Sequence, residues 1–142
     1  MSLMYEWHDK IPHKYVILIS ACVPFLTPET IDSFVTKYTQ SDKTGMFAVI
    51  EKKNYFWNDN YEILTPLTED VMNTKTVKKT FEAAHCLYAS KLDTIKQGIW
   101  MGDFNKDEIE LVPVKEEECF DIDYQWQFDL CENLWRQKNE NL

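Results

Sequence analysis

The sequence predicts an α/β fold, and three observations support this class. Residues 14–22 form a compact apolar run rich in β-branched side chains, typical of a strand that is buried on both faces of a parallel sheet. A segment with apolar residues at helical spacing follows after a short loop, and a second buried-type strand spans residues 44–52. Strand, tight loop and helix in this order form the repeating unit of α/β proteins.

The first predicted helix has a clear start signal. Thr27 is a favoured N-cap residue, and Pro28 occupies the first helical position, where a proline is well tolerated. Glu29 and Asp32 add negative charge near the positive end of the helix dipole. The pattern therefore predicts a helix that begins directly after the loop at the end of the first strand.

The remaining segments continue this alternation, and the length of 142 residues suits a single domain over residues 1–142. Residues 54–64 predict a hairpin with a polar turn, and residues 65–79 predict an irregular arm. The further predictions are a strand at 83–89, a short helix at 90–97, a strand at 109–114, a short strand or loop edge at 120–123 and an amphipathic helix at 124–137.

The composition excludes some classes of partner. The formal net charge is −9, and Arg136 is the sole arginine, whereas non-specific nucleic-acid binding needs clustered basic residues. A free nucleotide is still possible, because a metal ion or backbone N–H groups can hold its phosphates locally. The acidic charge therefore predicts that nucleic acid is not a partner. No apolar run has the length of a membrane-spanning helix, so we do not expect a membrane as partner either.

The four cysteines are widely spaced and contain no Cys-x-x-Cys pair, which argues against a structural zinc site. This spacing also differs from the framework of a small disulfide-rich secreted domain. Cys22 and Cys86 lie in apolar runs and are expected to be buried thiols. These features predict reduced cysteines and a cytoplasmic location.

Asp121 and Asp123 form the most informative pair in the chain, because they flank the single apolar residue Ile122. In an extended segment, alternate side chains share a face, so both carboxylates would point the same way. Two adjacent like charges are costly unless a cation lies between them, which makes the pair a candidate catalytic Mg²⁺ site. The alternative is that Asp123 or its neighbour only caps the last helix, since aspartate is a favoured N-cap residue.

Other candidates each have a structural alternative. Ser20 and Cys22 end the first strand, where ligands of open α/β sheets bind, but they could simply close the strand. His85 lies inside an apolar run, which favours a hydrogen-bonded core or interface histidine over a catalytic base. Lys75 belongs to a basic run that could contact an anionic substrate or remain solvated.

Several segments resemble the acylneuraminate cytidylyltransferase family, which comprises the CMP-sialic acid synthetases and their sugar-acid relatives. Within residues 17–32, the matching positions are Pro24, Phe25, Leu26, Ile31 and Asp32. Three more segments fit in the same order, namely the aromatic hairpin at 55–58, the arm at 72–76 with the strand at 85–88, and the segment 120–123 with 128–130.

The resemblance implies a partial nucleotidyltransferase (Rossmann-like) fold with a mixed sheet flanked by helices. It implies transfer of CMP from CTP to a sialic-acid-like sugar with release of pyrophosphate, Mg²⁺ at Asp121 and Asp123, and contacts from Ser20, Lys75 and His85 to the sugar acid. It further implies a homodimer, in which residues 54–80 form the dimerisation hairpin or arm.

The sequence also departs from the family pattern, and these departures matter as much as the matches. The family has an N-terminal Gly- and Ser-rich loop that binds the CTP triphosphate, and we find no counterpart, so the N-terminal nucleotide-binding part is expected to be missing. Asn73 and Lys75 stand near the family's Arg-Gln pair, which weakens the expected grip on a sugar carboxylate. The alternative function is therefore a non-catalytic sugar-binding or dimerisation remnant.

Overall fold

The computed structural model describes residues 3–67, 72–96, 102 and 106–139. Its strands are β1 (Tyr15–Ile19), β2 (Gly45–Lys52), β3 (Thr80–Lys91) and β4 (Ile109–Val114), and its α-helices are α1 (Pro28–Gln40), α2 (Leu92–Lys96) and α3 (Gln125–Asn139). 3-10 helices span Leu3–Lys10 and Glu116–Glu118. The strands form one sheet in the order β1-β3-β2-β4, in which β3 is antiparallel to β1 and β2, and β2 is parallel to β4. The predicted mixed sheet flanked by helices is confirmed.

Strand β1 differs from its prediction. Among the described residues it pairs with β3 alone, and this pairing is antiparallel. Tyr15 is 57% exposed and Ile19 is 46% exposed. The prediction of a strand buried on both faces of a parallel sheet is therefore wrong, because an apolar run reports hydrophobicity but not the position of its strand within a sheet.

The hydrophobic core lies between α1 and one face of the sheet. Phe34 and Tyr38 of α1 pack in one buried cluster with Met46 and Ala48 of β2. Phe34 is 1% exposed, and burial of such a side chain contributes about 1.5–3 kcal/mol to stability. Because α1 is fixed in this way, the loop that leads into it is also held at the end of β1.

The start of α1 follows the prediction. Thr27 has extended backbone dihedrals, and its hydroxyl oxygen accepts a hydrogen bond of 3.3 Å from the Thr30 N–H. Pro28 occupies the first helical position, as the sequence indicated. At the other end, the Ser41 N–H donates to the carbonyl of Tyr38.

A bulge interrupts the pairing of β3 with β2. Phe47 pairs with Tyr88 and Val49 pairs with Ala83, so residues 84–87 of β3 lie opposite Ala48 alone. His85 lies within this bulge with a φ of 51°, in the left-handed region. Its side chain is exposed, so of the two expected alternatives, a core or an interface histidine, the core position is wrong. The bulge redirects the side chain from the sheet to the surface.

The remaining elements largely match their predicted positions. The hairpin contains an antiparallel bridge between Trp57 and Ile63, and the arm that follows is irregular where it is described. Residues 68–71 of the arm and Gln97 of the predicted short helix lie outside the described residues. The segment 120–123 is a loop and not a strand.

Helix α3 forms where the sequence predicts it, but most of its apolar surface is not covered. Cys131 is 4% exposed, whereas the large apolar residues before and within α3 are 40–65% exposed. These are Tyr124, Trp126, Phe128, Leu130, Leu134 and Trp135. No helix in the described ranges combines the length and the apolar character needed to cross a membrane.

Candidate functional site

The loop that contains Asp121 and Asp123 lies against the loop after β1. The backbone N–H of Ile122 donates a hydrogen bond of 3.0 Å to the carbonyl of Cys22. This contact joins two segments that are far apart in the sequence. It brings the Asp-Ile-Asp loop to the carboxyl end of β1, where Ser20 is also located. Two of the sequence-derived candidates, Ser20 and the aspartate pair, are therefore brought together.

Ser20 connects the loop after β1 to β3. Its backbone N–H donates to the carbonyl of Cys86 at 2.9 Å, and its hydroxyl oxygen accepts from the Cys22 N–H at 3.3 Å. The hydroxyl thus stabilises a tight turn after the strand. Cys22 itself is exposed, which corrects the expectation of a buried thiol at this position.

Strand β3 adds an imidazole and a phenol to the site. His85 Nδ1 lies 3.0 Å from the Tyr88 hydroxyl, and the Phe47 ring contacts both side chains, with centroid distances of 6.2 Å and 5.1 Å. Burial raises the pKa of Tyr88, and negative charge on Cys86 and on Asp121 raises this pKa further. The effect of Asp121 places its carboxylate within electrostatic range of the Tyr88 phenol. Tyr88 and Phe47 were not candidates from the sequence, because a bulge leaves no local signal.

Glu118 fixes the start of the Asp-Ile-Asp loop. The residue is 4% exposed, and its carboxylate accepts hydrogen bonds from the Thr27 N–H at 3.1 Å and from the Thr27 hydroxyl at 2.9 Å. Burial acts to raise the pKa of Glu118, but the hydrogen bonds from Thr30, Thr27 and Lys115 outweigh it, so the pKa lies below its ordinary value. The sequence shows only a run of three glutamates, which gives no reason to expect that one of them is buried.

Cys86 of β3 is in contact with Cys119, which lies two residues before Asp121 in the sequence. Their sulfur atoms are 3.7 Å apart, both residues are buried, and both are free thiols. Burial raises the pKa of both thiols, and in Cys119 the pKa reaches about 12. The expectation that Cys86 is a buried thiol is confirmed.

The two aspartates differ in exposure. Asp121 is half-buried and Asp123 is exposed, and neither carboxylate has a hydrogen bond or ion pair with another described residue. The N–H groups of Asp123 and Tyr124 both donate to Gln127 Oε1 at 2.7 Å. Gln127 thus provides the side-chain cap at the start of α3, and the alternative in which Asp123 only caps this helix is not supported.

In the part of the chain that the structure describes, the aspartate pair does not belong to a closed structural metal site. Within the described ranges, no group of three or more His, Cys, Asp and Glu side chains converges as metal ligands do. Asp121 and Asp123 would therefore contribute at most two carboxylates. Mg²⁺ is commonly held by one or two carboxylates while water and substrate phosphates fill its other positions.

Lys75 is located elsewhere, on the arm. Its backbone N–H donates to the Asn73 side chain at 3.0 Å, and the Asn73 N–H donates to the Tyr55 hydroxyl at 3.0 Å. The side chain of Lys75 is exposed, and none of the contacts among the described residues links it to Asp121 or Ser20. The structure therefore does not bring Lys75 together with the other candidates.

A separate apolar cavity lies between the hairpin and the first residues of β3. Its volume is about 510 Å³, and it shares no residue with the cluster around Asp121. Its lining consists of Phe56, Leu64, Thr65, Pro66, Lys78, Thr80, Phe81 and Glu82. The apolar character of this lining suits a side chain of a protein partner better than a charged nucleotide.

Comparison with known proteins identifies the class of fold. The chain is similar to the crystal structure of 4-diphosphocytidyl-2C-methyl-D-erythritolsynthase from Anaerococcus prevotii DSM 20548, with a TM-score of 0.62 and 12% sequence identity. The similarity covers 94% of this chain but only 64% of the other, so the chain spans less than two thirds of that structure. The fold is that of a cytidylyltransferase-like α/β protein, as expected.

The comparison with sequences adds no family assignment. No protein-family model matches the chain, and no curated protein matches it either. The similar structure is not an acylneuraminate cytidylyltransferase, so it supports the general fold and not that particular family. At 12% identity, the likeness shows the fold alone.

Proposed function

We propose that this chain forms the acceptor side of a cytidylyltransferase, in which CMP passes from CTP to a hydroxyl group of a sialic-acid-like sugar. The observation that carries the proposal is the Ile122–Cys22 hydrogen bond, because it brings the aspartate pair to the carboxyl end of β1. Ligands of open α/β sheets bind at such an end. The name of the similar structure specifies a diphosphocytidyl compound, which supports a cytidine nucleotide as the donor.

In this proposal, Asp121 and Asp123 hold Mg²⁺. When bound, this ion would neutralise negative charge on the phosphate oxygens of the donor. The Ile122 hydrogen bond and the buried Glu118 carboxylate keep the loop in place, so the aspartates need little rearrangement to act as ligands. Such preorganisation is the main contribution that a protein makes to transfers at phosphorus.

The acceptor hydroxyl attacks the α-phosphorus, its proton leaves, and pyrophosphate departs with the bonding electron pair. In this proposal, the His85 imidazole accepts the proton of the acceptor hydroxyl, and its hydrogen bond to Tyr88 orients the ring. Ser20 lies at the same end of the sheet and would contact the sugar. Lys75 could contribute only if the arm or a second subunit brought it to the site.

The arm supports a further part of the proposal, a homodimer formed through residues 54–80. Exposed apolar side chains cluster on the hairpin and the beginning of the arm, which is typical of the core of a protein interface. They include Trp57 at 51%, Tyr61 at 89%, Leu64 at 63% and Leu67 at 56% exposure. A partner's arm that covers these residues would bury the apolar surface.

A second candidate function is a sugar-acid-binding module without transferase activity. The observation in its favour is that the contacts around Ser20 and Asp121, among the described residues, include no lysine or arginine that could hold a triphosphate. The chain also spans only 64% of the similar structure. In this case Ser20, His85 and Tyr88 would bind the sugar, and no nucleotide would be needed.

Calorimetry of the full chain with CTP and Mg²⁺ tests the first proposal. We expect micromolar binding that weakens at least about tenfold in an Asp121→Asn/Asp123→Asn variant, since the ligands of the metal are lost. Asp59→Asn, at an exposed aspartate of the hairpin turn, is the matched control and should bind as the unchanged chain does. Heat with a sialic acid but none with CTP would favour the binding module, and heat with neither would contradict both functions.

A further inference from the structure

Cys86 and Cys119 have the arrangement of a thiol pair that can be oxidised together. Their sulfur atoms are 3.7 Å apart, while the residues are separated by 33 positions in the sequence. Cys86 is fully buried, and Cys119 is 7% exposed. A disulfide needs sulfur atoms at about 2.05 Å, so the two sulfur atoms, now 3.7 Å apart, would have to move closer together.

The position of this pair connects it with the candidate site. Cys86 lies beside His85 in the bulge of β3, and its carbonyl accepts the Ser20 N–H. Cys119 follows directly after Glu118, and its thiol donates to the carbonyl of Lys115 at 3.2 Å. A bond between the two sulfur atoms would therefore join the central strand of the site to the start of the Asp-Ile-Asp loop.

We propose that Cys86 and Cys119 form a reversible intramolecular disulfide when the protein meets a peroxide, and that this bond fixes the Asp-Ile-Asp loop to β3. The inference goes beyond the proposed function and does not depend on it. It rests on the distance between the two sulfur atoms and on their positions in the fold. A disulfide at this site would restrict the movement of the Asp-Ile-Asp loop. Neither cysteine is one of the proposed metal or sugar ligands.

The chemistry balances with the peroxide as the oxidant. Burial raises the pKa of both thiols, so the reaction needs a local opening of the segment around Cys119 in which this thiol loses its proton. The Cys119 thiolate attacks one peroxide oxygen, the O–O bond breaks, and the released hydroxide takes up the proton, so a sulfenic acid and one water form. The Cys86 sulfur then attacks the sulfenic sulfur, the S–O bond breaks, and a second water leaves. The two thiols together lose two electrons and two protons, and hydrogen peroxide is reduced to two waters.

Hydrogen peroxide treatment of the full chain with Cys22→Ser and Cys131→Ser tests this inference, because only the proposed pair then remains. After unfolding and alkylation of free thiols, we expect a product that is about 2 Da lighter and not alkylated, and dithiothreitol should restore alkylation. Digestion without a reductant should give a peptide that links Cys86 to Cys119. The same chain with an additional Cys119→Ala substitution is the control and should give no such linkage.

Two results would overturn the inference: thiols that stay fully alkylatable, or sulfinic and sulfonic products in place of the linkage. If the Cys119→Ala control fails to fold, the linked peptide from the unmodified chain still decides the question, because it identifies both partners. Hydrogen exchange tests the effect on the loop. We expect the amides of residues 119–123 to exchange more slowly in the oxidised form, and an unchanged rate would overturn the proposed fixing of the loop.

Discussion

The Glu118 carboxylate accepts hydrogen bonds from both the backbone N–H and the hydroxyl group of Thr27. Thr27 is the N-cap of α1, so this buried side chain connects the start of a helix to the segment that leads into the Asp-Ile-Asp loop. The dipole of a helix favours negative charge at its N-terminus. The same interaction therefore stabilises α1 and positions the candidate site.

Replacement of Glu118 by alanine should destabilise the protein by about 1–3 kcal/mol, because the Thr27 N–H would be left without its partner in a partly buried position. Urea unfolding measures this change. Glu117→Ala is the matched control, since Glu117 is exposed in the same run, and it should change stability by no more than about 0.5 kcal/mol. Equal effects of the two substitutions would contradict the role assigned to Glu118.

The lowered pKa of Glu118 predicts a specific loss of stability in acid. A carboxyl group whose pKa is lower in the folded state stabilises the protein above its unfolded pKa, and this contribution is lost as the pH falls through the folded value. Glu118→Gln removes the titrating group, so its stability should decrease less between pH 6 and pH 3 than that of the unchanged chain. Parallel urea titrations with Glu117→Gln as control measure the difference, and identical slopes in all three proteins would rule out this linkage.

Local signals in the sequence are sufficient for the elements that depend on neighbouring residues. Thr27 and Pro28 define the start of α1 because capping involves the backbone of the next turn only. The strand predicted at residues 44–52 agrees with β2 (Gly45–Lys52) to within one residue, since a long apolar run with β-branched residues favours a buried strand. These predictions need no knowledge of distant parts of the chain.

The features that form the site depend on distant partners and could not be predicted in this way. The edge position of β1 follows from its pairing with β3, which lies far along the chain. The exposure of His85 follows from a bulge between β2 and β3, and the burial of Glu118 follows from its contact with Thr27. The sequence therefore identified Asp121, Asp123 and Ser20 as candidates but not the groups that hold them together.

Tyr38 predicts a loss of stability at alkaline pH. Burial, and negative charge on Tyr15, raise the pKa of Tyr38 to about 12, and its hydroxyl donates to the Thr44 carbonyl. Because the folded pKa is raised, the contribution is complete below the ordinary tyrosine pKa of about 10 and is lost between about pH 10 and pH 12. Tyr38→Phe should cost about 1 kcal/mol at pH 7 and reduce the alkaline loss.

Urea unfolding between about pH 8 and about pH 12 measures this prediction. The control is Tyr61→Phe, because Tyr61 is 89% exposed and its substitution should leave the pH profile as it is. If Tyr38→Phe and the unchanged chain lost stability in parallel above pH 10, the Tyr38 phenol would not be the group responsible.

The left-handed backbone of His85 should make this position sensitive to the type of residue. At a φ of 51°, asparagine is tolerated, whereas a β-branched side chain clashes with its own backbone. Both His85→Asn and His85→Val lose the contact of the imidazole with Tyr88. The difference between their free energies of unfolding therefore measures the cost of the left-handed backbone conformation. We expect His85→Val to be less stable than His85→Asn by about 1–2 kcal/mol in thermal or urea unfolding. Equal stabilities would contradict the strained bulge.

The proposed dimer makes a prediction for a single side chain of the hairpin. Leu64 is 63% exposed and also lines the apolar cavity beside Phe81, so a glutamate at this position would place a charge in the interface. Sedimentation should give a dimer for the unchanged chain and a monomer for Leu64→Glu. Leu134→Glu, at an apolar residue of α3 that is 40% exposed, is the control and should remain dimeric, because it lies outside residues 54–80. Dissociation by Leu134→Glu alone would assign the interface to α3, and a monomeric unchanged chain would exclude the arm-mediated dimer.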